Sequence, residues 1–89
     1  MRAFAAELKA RRGALGISQE ELAFRSKVNR TFVAKLEVAA TQPSLSVLLK
    51  LALGLDADLP SLLSGTLARY EQEGRRAPKL PKSRPRKLA

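Results

Sequence analysis

An 89-residue chain with 45% hydrophobic residues and no cysteine can build one small domain around a modest core, without a disulfide framework or a thiolate metal site. There is no histidine either and no phosphate-cradling glycine loop, so the chain is not expected to be an enzyme or to hold a metal or cofactor. The formal net charge of +9 points to a polyanionic partner; the charged start (Arg2, Glu7, Lys9, Arg11, Arg12) and the absence of an 18-residue apolar run argue against a signal peptide or membrane span and for a cytoplasmic protein.

Runs of alternating β-branched or aromatic residues are absent and helix formers dominate, so the chain reads as all-α. The first helix covers about residues 2–14, with Phe4, Ala5, Leu8 and Leu15 at near-helical spacing and Gly16 as its stop. Ser18 is a natural N-cap for a second helix over 19–25, and Glu21, three residues on, supplies a capping-box carboxylate. After a break at Ser26, Lys27 and Val28, Asn29 caps a third helix that ends near Val38 and whose apolar stripe is only Val33 and Leu36. Leu22, Ala23 and Val28 join these two in the expected core. A loop over 39–43 leads to Ser44, the cap of a fourth helix bearing Leu45, Leu48, Leu49 and Ala52, ended by Gly54 and expected to be deeply buried. Asp58 and Pro60 open a short fifth helix with Leu59, Leu62 and Leu63; Gly65 interrupts it, and residues 66–73 add a further helical stretch carrying Leu67 and Tyr70. Residues 1–73 then form the domain and 74–89 a disordered tail. Pro78, Pro81 and Pro85 oppose structure there, and Arg75, Arg76, Lys79, Lys82, Arg84, Arg86 and Lys87 meet no acidic residue within the stretch.

Two short helices joined by a turn of about three residues, the second of them mostly polar, form the pattern of a helix-turn-helix over residues 18–38. A helix can read a major groove only if its outer face and N-terminal end expose side chains that reach base edges. Here those residues are Asn29, Arg30, Thr31, Ala34 and Lys35. The chain resembles the phage-repressor and Cro-like (XRE) helix-turn-helix family in LGISQEELAFRS (Leu15 to Ser26), VNRTFVAKLE (Val28 to Glu37) and QPSLSVLLKLALGLDADLPSLL (Gln42 to Leu63), all in one unbroken register.

The resemblance implies a compact five-helix lambda-repressor-like domain. It also implies a sequence-specific transcriptional regulator of double-stranded DNA, by default an autorepressor that binds a pseudo-palindromic operator as a homodimer. By position it implies phosphate contact by Gln19, with Ser18 beside it at the helix start, base reading by Arg30, Thr31 and Lys35, and a structural salt bridge between Arg12 and Glu37. Phe32 leans outward, with the sugar-phosphate backbone and a neighbouring helix both open as its partner.

The chain departs from the family in two places. Lys27 stands where the family usually has a turn glycine, so it must adopt a left-handed conformation, at a cost of about 1 kcal/mol, or reshape the turn. The loop after the third helix lacks the usual glycine and basic residues, leaving Thr41 and Gln42 as its polar groups toward phosphate; the basic tail is expected to supply the missing grip. Leu59, Leu62, Leu63, Leu67 and Tyr70 exceed the needs of a five-helix core and are candidates for a dimer interface. An antitoxin or other protein-interaction module that also binds operator DNA, with a toxin or another regulator as partner, is the alternative. Sequence-blind binding through the tail is a third reading, while Leu80 and Leu88 offer too little apolar area to anchor a membrane role.

Overall fold

A computed structural model describes residues 2–76 of the chain. Polar side chains start four of its helices by accepting a bond from an otherwise unpaired backbone N–H. Ser18 Oγ accepts from Glu21 N at 3.0 Å, Asn29 Oδ1 from Thr31 N at 2.7 Å, Ser44 Oγ from Val47 N at 3.2 Å and Asp58 Oδ2 from Ser61 N at 3.0 Å. The resulting elements are α1 (Arg2–Leu15), α2 (Gln19–Ser26), α3 (Arg30–Glu37), α4 (Leu45–Gly54) and α5 (Leu59–Arg76). The carboxylate of Glu21 does not complete a capping box; it accepts from Arg25 Nε one turn further along α2, at 3.0 Å.

The first four helices all end in the same way. A residue with positive φ (Gly16, Lys27, Ala39 and Asp56) follows each, and paired bonds turn back onto the last helical turn. Lys27 N donates to Phe24 O and Val28 N to Ala23 O; Ala39 N donates to Leu36 O and Ala40 N to Lys35 O. This is the Schellman arrangement, which satisfies carbonyls that the helix leaves without partners. Lys27 adopts the left-handed conformation (φ 57°, ψ 43°) in place of a reshaped turn.

The helices close into a ring: α1 packs on α3, α3 on α2, α2 on α4, α4 on α5, and α5 returns to α1. Phe4, Leu8, Leu22, Val33, Leu36, Leu51 and Leu62 fill its centre, with Val28 and Phe32 packed at the margin. Leu15 lies outside the core, because α1 turns it to solvent beyond the end of the packed stripe.

Three expectations are corrected. α4 is not deeply buried: Leu51, Ala52 and Gly54 face the core, but Leu45 and Leu49 are exposed, together with Leu53. α5 is one continuous helix rather than two pieces, since Gly65 serves as a crossing point. A Cβ there would land on the carboxylate of Glu7, which would have to shift from its place between Arg11 and Arg69, so glycine suits the point where α5 passes over α1. α5 also runs on through Gly74, Arg75 and Arg76, three residues into the stretch read as tail; the remainder of the expected tail, including Lys79, Lys82, Arg84, Arg86 and Lys87, lies outside the described residues. No helix among the described residues is long and apolar enough to cross a membrane.

Ala39 occupies its left-handed position with a Cβ, which costs about 1–2 kcal/mol. Ala39→Gly relieves that cost at a smaller loss in chain entropy, so the variant is expected to be more stable by about 0.5–1 kcal/mol in urea denaturation.

Candidate nucleic-acid interface

α3 has only eight residues, too few to hold a helix without tertiary support. Val33, Leu36 and Glu37 are its buried side, and at 100° per residue this puts Thr31 and Lys35 opposite with Ala34 on the flank, while Arg30 shares the phase of Val33 and Glu37 and is exposed as the first residue of the helix. Arg30, Thr31 and Lys35 are exposed and Ala34 is half-buried between them. Among the described residues neither Arg30 nor Lys35 has an ion-pair partner, whereas Arg11, Arg12, Arg25 and Arg69 are all paired. The arrangement offers two free cations and a hydroxyl around one small residue on a convex helical surface. That combination suits the phosphates and base edges of a groove.

The inner side is anchored by one carboxylate. Arg12 donates to Glu37 through Nε (2.6 Å to Oε2) and Nη2 (3.0 Å to Oε1), and its Nη1 donates to Ile17 O at 2.9 Å. This is the expected salt bridge, bidentate and sealed from water at Glu37. Gln19 Nε2 donates to the same Glu37 Oε1 at 3.0 Å. The side chain expected on phosphate is therefore engaged within the protein, and what the start of α2 presents outward is its backbone N–H groups beside the Ser18 cap. Burial alone would push the Glu37 carboxyl up, but the bonds from Arg12 and Gln19 and the charge of Arg12 outweigh it and hold the group below its ordinary value. The same bond to Glu37 raises Arg12.

Other expected site residues are placed as follows. Asn29 commits its Oδ1 to capping α3, so only its amide NH2 is left for a base. Phe32 is half-buried, with part of its ring packed against the core. Thr41 is half-buried and Gln42 exposed in the loop after α3. Leu62 is fully buried in the core and is removed from the dimer candidates; Leu59 is half-buried against the core, while Leu63, Leu67 and Tyr70 are exposed. Residues 62, 65 and 69 of α5 turn toward α1, because Arg69 must reach Glu7 at 2.8 Å.

Sequence reasoning missed two features. Lys27, read only as a poor turn residue, projects an exposed cation beside the start of α3. Glu7 is a second buried carboxylate, taking Arg11 Nε at 2.6 Å and Arg69 Nε at 2.8 Å, while Arg11 Nη2 also donates to Ser61 O at 3.0 Å. Here too burial raises the carboxyl and is outweighed, by the bonds from Arg69 and Arg11.

The model of the helix-turn-helix family matches residues 8–62, which run from the second half of α1 through the first turn of α5 and contain α2 and α3 entire. The chain belongs to this family, in its XRE, phage-repressor-like form. Membership carries the coarse function, a DNA-binding regulator of transcription. Among solved structures, the restriction-modification controller protein C.AhdI from Aeromonas hydrophila is 39% identical with a TM-score of 0.67, covering 68% of this chain and 92% of its own. The clp gene regulator ClgR from Corynebacterium glutamicum has a TM-score of 0.75 at 24% identity, covering 84% of this chain and 81% of its own, and attests the fold. No curated protein matches the chain.

Glu7 and Glu37 both lie below their ordinary value in the folded family domain. Their contribution to stability is fully present above about pH 4.3, the unfolded value, and drains away as pH falls through the lowered folded values. Arg12→Met leaves Glu37 buried with only Gln19 as partner, at an expected cost of about 3 kcal/mol at pH 7. Urea denaturation of both proteins should show that deficit at pH 7 and its shrinking as pH falls below about 4.3, where protonation of Glu37 removes the same ion pair from the wild type.

Proposed function

We propose that the chain represses its own gene by binding a pseudo-palindromic operator as a homodimer, in the bacterial or phage-infected cytoplasm. The observation that carries the reading is the contrast between the two sides of α3. Its inner side is locked by Glu37, and its N-terminal end and outer side hold Arg30, Thr31 and Lys35, with both cations unpaired among the described residues. In this reading Arg30 donates two bonds to the O6 and N7 of a guanine, Thr31 offers methyl or hydroxyl, Ala34 makes room, and Lys35 takes a base or the adjacent phosphate. The Asn29 amide reaches the edge of the same site. Ser18, the backbone at Gln19, Lys27, Thr41 and Gln42 hold phosphates on either side.

Arg75, Arg76 and the basic residues after them add sequence-independent attraction along the duplex. Leu63, Leu67 and Tyr70, with the margin of Leu59, contribute to the contact between copies. The likeness to a restriction-modification controller supports a regulator over an antitoxin.

Fluorescence anisotropy against the DNA upstream of the chain's own gene, beside a scrambled duplex at two salt concentrations, tests the reading. The wild type should prefer the native duplex by about 10³ or more. Arg30→Ala should lose about 1–3 kcal/mol on the native duplex and relax the preference at one base pair. Lys27→Ala should weaken both duplexes alike and lower the salt slope by about 1. Removal of residues 77–89 should reduce affinity and salt slope for both. Equal binding of both duplexes by the wild type would overturn sequence-specific repression.

A further inference from the structure

The buried part of α5 ends at Leu62, the residue at which the family match also ends. Leu62 is fully buried, whereas residues 63–74 include no buried side chain and add nothing to the core. More than three turns of helix therefore lie on α1 with little hydrophobic hold. Their directional tie is Arg69, whose Nε donates to Glu7 Oε1 at 2.8 Å; among the described residues no other ion pair joins this stretch to α1. Arg11 ties the first turn of α5 separately. It donates to Glu7 Oε2 at 2.6 Å and reaches Ser61 O at 3.0 Å and Ser61 Oγ at 3.1 Å. Between the two ties run Ser64, Gly65 and Thr66, all weaker helix formers than alanine. Thr66 Oγ1 donates to Leu62 O at 2.9 Å, the carbonyl toward which the helix also directs the Thr66 N–H, and this competition loosens the turn.

We infer that the part of α5 after Leu62 is a strap, hinged at residues 64–66 and latched by Arg69 to Glu7, that leaves α1 as one unit while the rest of the domain stays folded. Undocking breaks one charge-assisted bond and the shallow apolar contact of Leu63, Leu67 and Tyr70 with Ala3 and Phe4. It leaves in place Leu62, the bonds of Arg11 to Ser61 and the Arg12–Glu37 pair that orients α3. The position of the strap also bears on the basic residues beyond it. Docked, it sets Glu73 in a groove with Val38 and Ala39 at the end of α3, so Arg75 and Arg76 follow within one turn of that groove. Released, residues 63–89 form one arm with eight basic and two acidic residues, tethered at Leu62. The latch thus decides whether those charges start from the end of α3 or from the end of the core. This device goes beyond the operator and homodimer readings above and depends on neither.

Hydrogen exchange of the full chain without DNA, followed by mass spectrometry with fragment resolution in α5, tests the latch in the wild type, Arg69→Met and Arg69→Lys. In the wild type the amides of residues 67–73 should exchange at one common rate, at least about 100-fold faster than those of Leu22, Val33 and Leu36. Arg69→Met should speed residues 67–73 by about 10-fold or more and leave α2 and α3 unchanged, and Arg69→Lys, which keeps the charge, should recover part of the protection. Each protein is read at two concentrations about tenfold apart, because the latch protects equally at both, whereas a contact between copies protects more at the higher one. Exchange that rises smoothly from residue 67 to residue 76 is end fraying and overturns the inference. So does an Arg69→Met effect that is absent or that spreads into α2 and α3, or strap protection found only at the higher concentration.

Discussion

The placement of α3 depends on the buried carboxylate of Glu37. An eight-residue helix with an apolar stripe of two side chains has little to fix its rotation or tilt by hydrophobic packing alone, since that force has no direction. The fork of Arg12 supplies direction. Its two bonds to Glu37 tie the end of α3 to α1, its third bond holds the carbonyl of Ile17 in the turn before α2, and Gln19 brings the first turn of α2 to the same oxygen. Three helices thus take their mutual orientation from one side chain. A carboxylate this deeply buried persists because its bonds are complete and charge-assisted.

α1 repeats the device one helical turn earlier and on another side. Glu7 gathers Arg11 from its own helix and Arg69 from α5, and Arg11 adds bonds to Ser61. The two neighbours of α1 in the ring, α3 and α5, are therefore both held by an apolar contact and a directional ionic one. This divides the arginines into two populations. Those at 11, 12 and 69 spend their charge inside the domain, and Arg30 keeps its charge for an external anion. A count of basic residues would overstate the cationic surface of the ordered domain.

Helix limits were legible because they are set by neighbours in the chain. Ser18, Asn29, Ser44 and Asp58 cap through bonds spanning two or three residues, and such bonds need no tertiary partner. The same proximity hid a conflict at Asn29, where one side chain is wanted both as a cap and as a base reader and the local bond engages its oxygen. At Gln19 the competing partner is Glu37, 18 residues away, and no local pattern announces it. Gly65 looked like a break because glycine weakens an isolated helix, yet at the crossing a side chain would displace the Glu7 carboxylate.

The order of caps, apolar stripes and turn residues was sufficient for the all-α class, the starts of the last four helices and the polar outer side of α3, since each of these follows from bonds and periodicity within about one turn of helix. Family resemblance added the Arg12–Glu37 pair, which no local rule could supply. What remained for the folded chain to settle was the rotation of each helix about its own axis. Leu62 and Leu63 are adjacent and chemically identical, yet one is fully buried and the other exposed; Leu45 and Leu49 read as core until α4 settles against α2 and α5 with its other side inward. Rotation depends on the sum of contacts made by all the neighbouring helices at once, and in a leucine-rich helix several rotations bury similar area. The choice falls to sparse directional features, here the Glu7 hub, the Glu37 hub and the glycine crossing, whose partners are brought together only by the closed ring.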